Sequence, residues 1–133
     1  MTHSGQCLCG AVTLRIDVDH IAARMCWCRD CQYIANGSAT VNAVFPHDSV
    51  HFDGEIRTFS RMADSGNMVE RGFCPACGTQ LFSRTVATPT IRIRVGVLDN
   101  PSAIVPQGYI WTASKPDWAH LDPALPALSG PPA

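Results

Sequence analysis

All seven cysteines of the chain fall into three short clusters. The central cluster is Cys26-Trp27-Cys28-Arg29-Asp30-Cys31, which has the spacing C-x-C-x2-C. The outer clusters, Cys7-Leu8-Cys9 and Cys74-Pro75-Ala76-Cys77, contribute two thiols each. Cysteines used only as small core residues would be scattered along the chain. Close spacing instead lets neighbouring thiolates bind one metal ion, at about 2.3 Å from a zinc. The pattern therefore predicts a zinc-binding protein.

Length and composition favour one globular domain, over residues 1–133. The 133 residues are enough to bury a core without disulfides, and an odd number of cysteines cannot pair completely. A formal net charge of −1 gives no basic field that would attract nucleic acid or an anionic membrane. The first ten residues lack the basic flank and apolar run of a signal peptide, and no apolar stretch is long enough for a membrane span. We therefore expect a protein of the cytoplasm, where the environment is reducing.

Two patterns position the first five cysteines. Residues 11–18 alternate between apolar and polar positions, which predicts a half-buried strand directly after the Cys7–Cys9 turn. Gly10 suits the end of that turn, because glycine adopts backbone conformations that other residues avoid. Cys28 and Cys31 are three residues apart and would share one face of a short helix that continues through Gln32 to Ala35.

The remaining sequence predicts a mainly β fold of short antiparallel strands and hairpins, with little helix. Asp53-Gly54 is a candidate hairpin turn, and the strongest alternation places Ile91 and Ile93 opposite Arg92 and Arg94. The proline-rich tail, about residues 120–133, is incompatible with a regular helix, and its last residues are expected to be loose. Further strands are predicted over 39–45, 49–53, 56–61, 67–73, 79–84, 90–98 and 108–111.

The spacing alone leaves more than one division of the seven thiols between metals. A closed structural zinc takes four protein ligands and a catalytic zinc takes three, so the outer pairs could form a tetrathiolate site and the central cluster an open site. Alternatively, two C-x2-C pairs, Cys28 with Cys31 and Cys74 with Cys77, could form one zinc ribbon. A redox dithiol at Cys28 and Cys31 is disfavoured, because no βαβ pattern surrounds it.

Several motifs together resemble the glutathione-dependent formaldehyde-activating (GFA) family, which includes centromere protein V, over nearly the whole chain. They are Cys7-Leu8-Cys9-Gly10, the C-x-C-x2-C-Gln run ending at Gln32, Glu70 to Thr79, Val95 to Asp99 with Pro101, Tyr109 to Trp118, and Leu125-Pro126. The resemblance implies a compact β fold stapled by a zinc site, with two zinc ions in all. It assigns Cys7, Cys9, Cys74 and Cys77 to the structural zinc. It assigns Cys26, Cys28 and Cys31 to the open catalytic zinc, which can be partly empty.

The open site and the resemblance together imply a carbon–sulfur lyase. Its substrate would be a small thiol or a thiol–aldehyde adduct of the S-hydroxymethylglutathione type. A non-catalytic, zinc-stabilised binding module is the alternative. Many relatives carry His where this chain has Trp27, which suggests that the indole borders the open site.

The sequence identifies no substrate-binding residue. Arg29 and Asp30 could bind a substrate carboxylate or move a proton, and surface solvation is an equally good interpretation of both. Aromatic residues near the C-terminus could line a pocket, although core packing is their commoner use; they are Tyr109, Trp111 and Trp118. The histidines are expected to be solvated surface residues; they are His3, His20, His47, His51 and His120.

Overall fold

A computed structural model describes residues 2–132, and the fold is mainly β, as predicted. The described residues form the strands β1 His3–Gln6, β2 Thr13–Ile16, β3 Ala22–Cys26, β4 Thr40–Pro46, β5 Val50–Asp53, β6 Arg57–Met62, β7 Met68–Phe73, β8 Gln80–Thr85, β9 Thr90–Arg94 and β10 Tyr109–Ile110. One short α-helix, α1, spans Arg29–Ile34, and single 3-10 turns cover His47–Ser49, Val95–Val97, Pro101–Ala103 and Thr112–Ser114.

The strands form two sheets. The smaller sheet has the order β1-β2-β5, and the larger has the order β10-β3-β4-β9-β8-β7-β6. The pairs are antiparallel except for β10, which runs parallel to β3. The hydrophobic core draws on both sheets, and its largest fully buried side chains are Phe45, Ile16, Leu81, Ile91 and Ile93.

Alternation along the larger sheet gives its two faces different characters. On β9, Ile91 and Ile93 enter the core, so Arg92 and Arg94 point to the opposite face. The register pairs Asn42 with Arg94 and Ser83 with Arg92. A polar, arginine-bearing surface therefore lies across the middle of the sheet.

Some predicted elements differ from the structure. The strands β1 and β3 were not predicted. The pattern over 90–98 predicted one strand, but Val95–Val97 forms a 3-10 turn after β9 ends. Asp53-Gly54 does not close a hairpin, because β5 pairs with β2 and β6 pairs with β7. Gly54 has a φ of 107° and instead lies where the chain passes from the smaller sheet to the larger.

The proline-rich tail contacts the rest of the fold as far as Gly130, and the expectation that its last residues are loose falls in part on Ala133, outside the described residues. The Leu128 N–H donates to the Tyr109 carbonyl at 2.9 Å, and the Trp111 N–H donates to the Gly130 carbonyl at 2.9 Å. As predicted, the tail contains no regular helix within the described residues. The tail is held by backbone hydrogen bonds to β10 and to the residue after it, which provide a strand edge for pairing.

Within residues 2–132, no helix is both long enough and apolar enough to cross a membrane.

Candidate functional site

The two outer cysteine pairs meet at one point. The four Sγ atoms of Cys7, Cys9, Cys74 and Cys77 all lie within 4.8 Å of one another. The Sγ atoms of Cys7 and Cys9 are 3.6 Å apart, and those of Cys9 and Cys74 are 3.8 Å apart. A tetrahedron with zinc–sulfur bonds of about 2.3 Å has edges of about 3.8 Å. These separations fit a tetrathiolate metal site and are far too long for a disulfide bond.

The two turns that carry these pairs differ in length but end in the same way. In each, a glycine follows the second cysteine and takes a left-handed conformation, with φ of 81° at Gly10 and 77° at Gly78. The Gly10 N–H donates to the Cys7 carbonyl at 3.1 Å, and the Gly78 N–H donates to the Cys74 carbonyl at 2.8 Å. A side chain at either glycine would strain the backbone. The left-handed conformation therefore explains why glycine follows each cysteine pair.

Thr79 joins the two turns and favours the thiolate form of one ligand. Its hydroxyl accepts a hydrogen bond from the Leu8 N–H at 3.0 Å and lies 3.1 Å from the Cys77 Sγ. That hydroxyl lowers the pKa of the Cys77 thiol to about 5. Because metal binding requires the thiolate, the turn favours the form of Cys77 that can bind a metal ion.

The central cluster is built where β3 passes into α1. Cys26 is the last residue of β3, Cys28 is the N-cap of α1, and Cys31 lies in its first turn. The Cys28 Sγ accepts a hydrogen bond from the Cys31 N–H at 3.3 Å. The three Sγ atoms lie within 4.8 Å of one another, and the described residues offer no fourth Cys, His, Asp or Glu ligand in that group.

The structure thus groups the thiols as four and three. The ribbon grouping of Cys28 and Cys31 with Cys74 and Cys77 does not occur. Both clusters could hold a metal ion, and the sulfur donors suit zinc.

The central thiols share their protons unequally. Hydrogen bonds from Cys26 and Cys28, aided by the charge of Arg94, lower the pKa of the Cys31 thiol to about 2. The same contacts, first of all that with Cys28, raise the pKa of the Cys26 thiol. The contacts with Cys26 and Cys28 and the charge of the buried Arg94 therefore favour the thiolate form of Cys31.

A cavity of about 410 Å³ opens above the central cluster. Its floor is the polar face of the larger sheet, and its lining includes all three central cysteines and Trp111. In the described part of the chain, no Asp, Glu or His is among its lining residues, whereas four arginines are: Arg24, Arg71, Arg92 and Arg94. A volume of this size is in the range of small-molecule sites.

Comparisons with known proteins agree with this geometry. The family described as glutathione-dependent formaldehyde-activating enzyme matches residues 2–114. The chain belongs to the GFA family. A crystal structure of a Rhodobacter sphaeroides protein has a TM-score of 0.56 and 19% sequence identity, over 80% of this chain and 98% of that chain. At that identity the similarity shows the fold alone. A comparison with curated proteins gave no match.

Residues around the GFA motif take supporting positions. Gln32, almost fully buried, donates from Nε2 to the carbonyls of Trp27 at 2.8 Å and Ser114 at 3.0 Å, which ties α1 to the rest of the fold. Arg29 is exposed and lies over the Tyr33 ring at 5.1 Å. Asp30 lies 3.4 Å from the Arg71 guanidinium. Neither Arg29 nor Asp30 lines the cavity.

Trp27 lies in a second core and is not among the residues that line the cavity. It is 6% exposed, packs with Tyr109 and Ala119, and meets Trp118 edge to face at 6.5 Å. Trp118 itself is largely exposed, so of the three aromatic residues near the C-terminus only Trp111 lines the cavity. The expectation that the indole borders the open site is therefore wrong.

We expect Trp27→His to reduce the free energy of unfolding by about 2–4 kcal/mol, because it removes a large buried side chain from the second core. The preference among thiol ligands should not change, since the indole does not face the cavity. Chemical denaturation of the variant measures the first effect and ligand titration the second. Trp118→His is the control and should cost about 1 kcal/mol or less. If the variant kept its full stability but changed its preference among thiols, Trp27 would have to border the open site.

One expected surface histidine is buried. His3 is 8% exposed and packs edge to face on Phe45 at 5.6 Å. Its Nε2 lies 3.5 Å from an Asp19 carboxylate oxygen, which also lies 3.2 Å from the His20 Nδ1. The surface prediction is therefore wrong for His3. These three residues lie away from the cysteine cavity.

Proposed function

We propose that this protein is a zinc-dependent carbon–sulfur lyase that acts on thiol–aldehyde adducts of the S-hydroxymethylglutathione type. The observation that carries the proposal is the convergence of three thiols, with no fourth ligand among the described residues, at an open cavity. In this proposal the chain is one zinc-binding domain, with Cys7, Cys9, Cys74 and Cys77 as structural ligands. Cys26, Cys28 and Cys31 are the ligands of the open site. Membership of the GFA family supports the same reaction class.

Zinc held by the central thiolates would supply a Lewis-acidic position that favours the thiolate form of a substrate sulfur. In the lyase direction, the C–S bond breaks and its electron pair stays on sulfur. The hydroxyl O–H bond of the adduct supplies the electrons of the new C=O bond. Within residues 2–132 no Asp, Glu or His lines the cavity, so in this proposal the hydroxyl proton passes to water.

The protein residues prepare this site in two ways. Cys26 and Cys31 are 6% and 7% exposed, so the reacting sulfur meets a cluster that is largely withdrawn from water. Cys28 is more exposed than the other two thiols, and all three line the cavity. The arginines favour an anionic thiolate over a neutral thiol at this position.

We expect cobalt-substituted protein to show two groups of sulfur-to-metal charge-transfer bands, of which only one responds to glutathione. The open site has a position for an added thiolate, whereas the tetrathiolate site has none. Binding should tighten as the pH rises toward the thiol pKa of about 8.5, because the ligand must lose its proton. Titration by visible absorption measures both effects. Two metals that do not respond to thiols would reject the lyase and favour the zinc-stabilised binding module.

A further inference from the structure

The floor of the cavity is an arginine layer, which we define as Arg71, Arg92 and Arg94. They come from two strands that flank β8: Arg92 and Arg94 lie on β9 and Arg71 lies on β7. Ser83 on β8 pairs with Arg92 on one side and with Arg71 on the other, so the three side chains share one face of the sheet. Arg24 on β3 lines the same cavity.

The layer is short of negative partners. Arg94 donates from Nη1 to the Asn42 Oδ1 at 2.6 Å, and its Nε and Nη2 are buried without a hydrogen-bond partner. Arg92 donates only to neutral hydroxyls, to Ser83 at 3.0 Å and to Thr85 at 3.4 Å. Of the three, Arg71 alone reaches a carboxylate, that of Asp30 at 3.4 Å, and its Nε and Nη1 are also unpartnered.

Burial raises the free-energy cost of leaving these arginine charges without a negative partner. Arg71 and Arg94 are 7% and 6% exposed, and a buried charge without an opposite charge is strongly unfavourable. Burial lowers the pKa of Arg92 and of Arg94. A guanidinium nevertheless stays protonated in a protein, so the positive charge persists. The positive charge of the cavity is therefore expected to favour the binding of anions.

The central cluster supplies only part of that charge. Zinc with three thiolates carries a net charge of −1, and an added substrate thiolate contributes one more. Among residues 2–132, four arginines line the cavity and no Asp or Glu lines it with them. A substrate with a neutral tail would leave positive charge without compensation, whereas a carboxylate on the tail would supply the missing partner.

We infer that the arginine layer binds a carboxylate of the thiol substrate, with Arg92 as the specificity-determining contact and Arg71 and Arg94 adding buried positive charge. Arg92 is the candidate for contact because it is only partly buried and its present partners are neutral hydroxyls. The guanidinium fork matches a carboxylate through two parallel hydrogen bonds. The inference rests on the proposed function, since it takes the thiol to enter the open site, and it names the charge of that thiol.

A competing role predicts a different result. If the arginines serve only to offset the charge of the metal–thiolate cluster, removing one should weaken all thiols equally. If they bind the substrate carboxylate, removing one should weaken acidic thiols selectively. The comparison therefore needs pairs of thiols that differ only in the charge of the tail.

The experiment measures binding of short mercaptocarboxylates, from mercaptoacetate to mercaptobutyrate, each beside its neutral amide, by calorimetry on the zinc-loaded protein. For at least one chain length, the wild-type protein should prefer the acid by about tenfold or more, the ratio expected for one charge-assisted hydrogen bond. Arg92→Gln should remove this preference and leave binding of the amide nearly unchanged. Arg57→Gln is the matched control, because Arg57 is exposed on β6 and outside the cavity, and it should keep the preference.

Two further measurements keep the inference falsifiable. Arg92→Lys keeps the charge without the fork and should keep part of the preference, which provides a second test if Arg92→Gln does not fold. Thiol-free propionate should compete weakly with the acids, a readout that needs neither metal coordination nor turnover. Equal affinity for acid and amide at every length, or an equal loss of both in Arg92→Gln, would overturn the inference. If the protein bound acids selectively but did not catalyse C–S bond exchange, the lyase proposal would be rejected and the carboxylate-binding role of the arginine layer would stand.

Discussion

Cys77→Ser is expected to leave the protein largely unfolded. The substitution removes one of the four thiols that we propose as structural zinc ligands, at the point where the turn after β1 meets the β7–β8 turn. Structural zinc contributes on the order of 10–16 kcal/mol to the folding of small zinc-binding peptides, whereas a whole domain is stable by only about 5–15 kcal/mol. Even a partial loss of the zinc contribution therefore approaches the total stability. Circular dichroism at room temperature and a thermal melt measure the effect.

Cys77 is the informative position in that site, and Cys28→Ser is its control. Cys74 is fully buried, so replacing it would also place a polar group in the core, whereas Cys77 is only partly buried. Cys28 is the N-cap of α1, a position where Ser is favourable, so the control should remain folded. If Cys28→Ser melted at the lower temperature of the two, the structural role assigned to the outer pairs would be wrong.

The same Cys28→Ser protein is expected to lose C–S bond exchange by about a hundredfold or more. It removes one of the three thiols that we propose as ligands of the open site, while Ser keeps the helix cap. A metal Lewis acid contributes several kcal/mol to such a step, and each 1.36 kcal/mol corresponds to a factor of ten in rate. Exchange of labelled aldehyde into a preformed hydroxymethyl thioadduct measures the rate.

The control for that experiment is wild-type protein from which zinc has been removed and then returned, which should regain its rate. A Cys28→Ser protein that stays folded and exchanges at the wild-type rate would place the chemistry elsewhere.

The cysteine spacing carried much of the information about the candidate site. A C-x2-C or C-x-C pair is local, so its geometry follows from a turn or from one turn of helix, and both turns and α1 appear where the pattern predicted them. Which pair meets which depends on the strand order, and residue spacing does not contain that information. The resemblance to GFA proteins supplied the grouping, and the structure shows the same proximity.

The arginine layer could not be predicted in the same way. Alternation correctly separated Arg92 and Arg94 from Ile91 and Ile93, but a polar face on a strand is usually solvated. Here β9 lies between β4 and β8, and the cavity over that face is closed partly by distant segments such as Pro131. These long-range contacts turn a polar strand face into a buried charged layer.

Other local signals were overridden by tertiary contacts. β3 contains Ala22-Ala23-Arg24-Met25, which does not alternate, yet it pairs with β4 along its whole length and with β10 at its end. β1 contains His3-Ser4-Gly5-Gln6, which has low strand propensity, yet it pairs with β2 over its full length. Gly5 is required there because a Cβ would lie 2.2 Å from the Val97 carbonyl oxygen.

The most direct test of the central claim is the location of zinc by anomalous diffraction at the zinc absorption edge, from crystals of protein purified with zinc. We predict two zinc positions, one bound by Cys7, Cys9, Cys74 and Cys77 and the other by Cys26, Cys28 and Cys31 with a fourth ligand that is not a protein side chain. Soaking with a thiol should place its sulfur at that fourth position. A single zinc bound by Cys28, Cys31, Cys74 and Cys77, or a second zinc closed by a fourth side chain, would contradict the account.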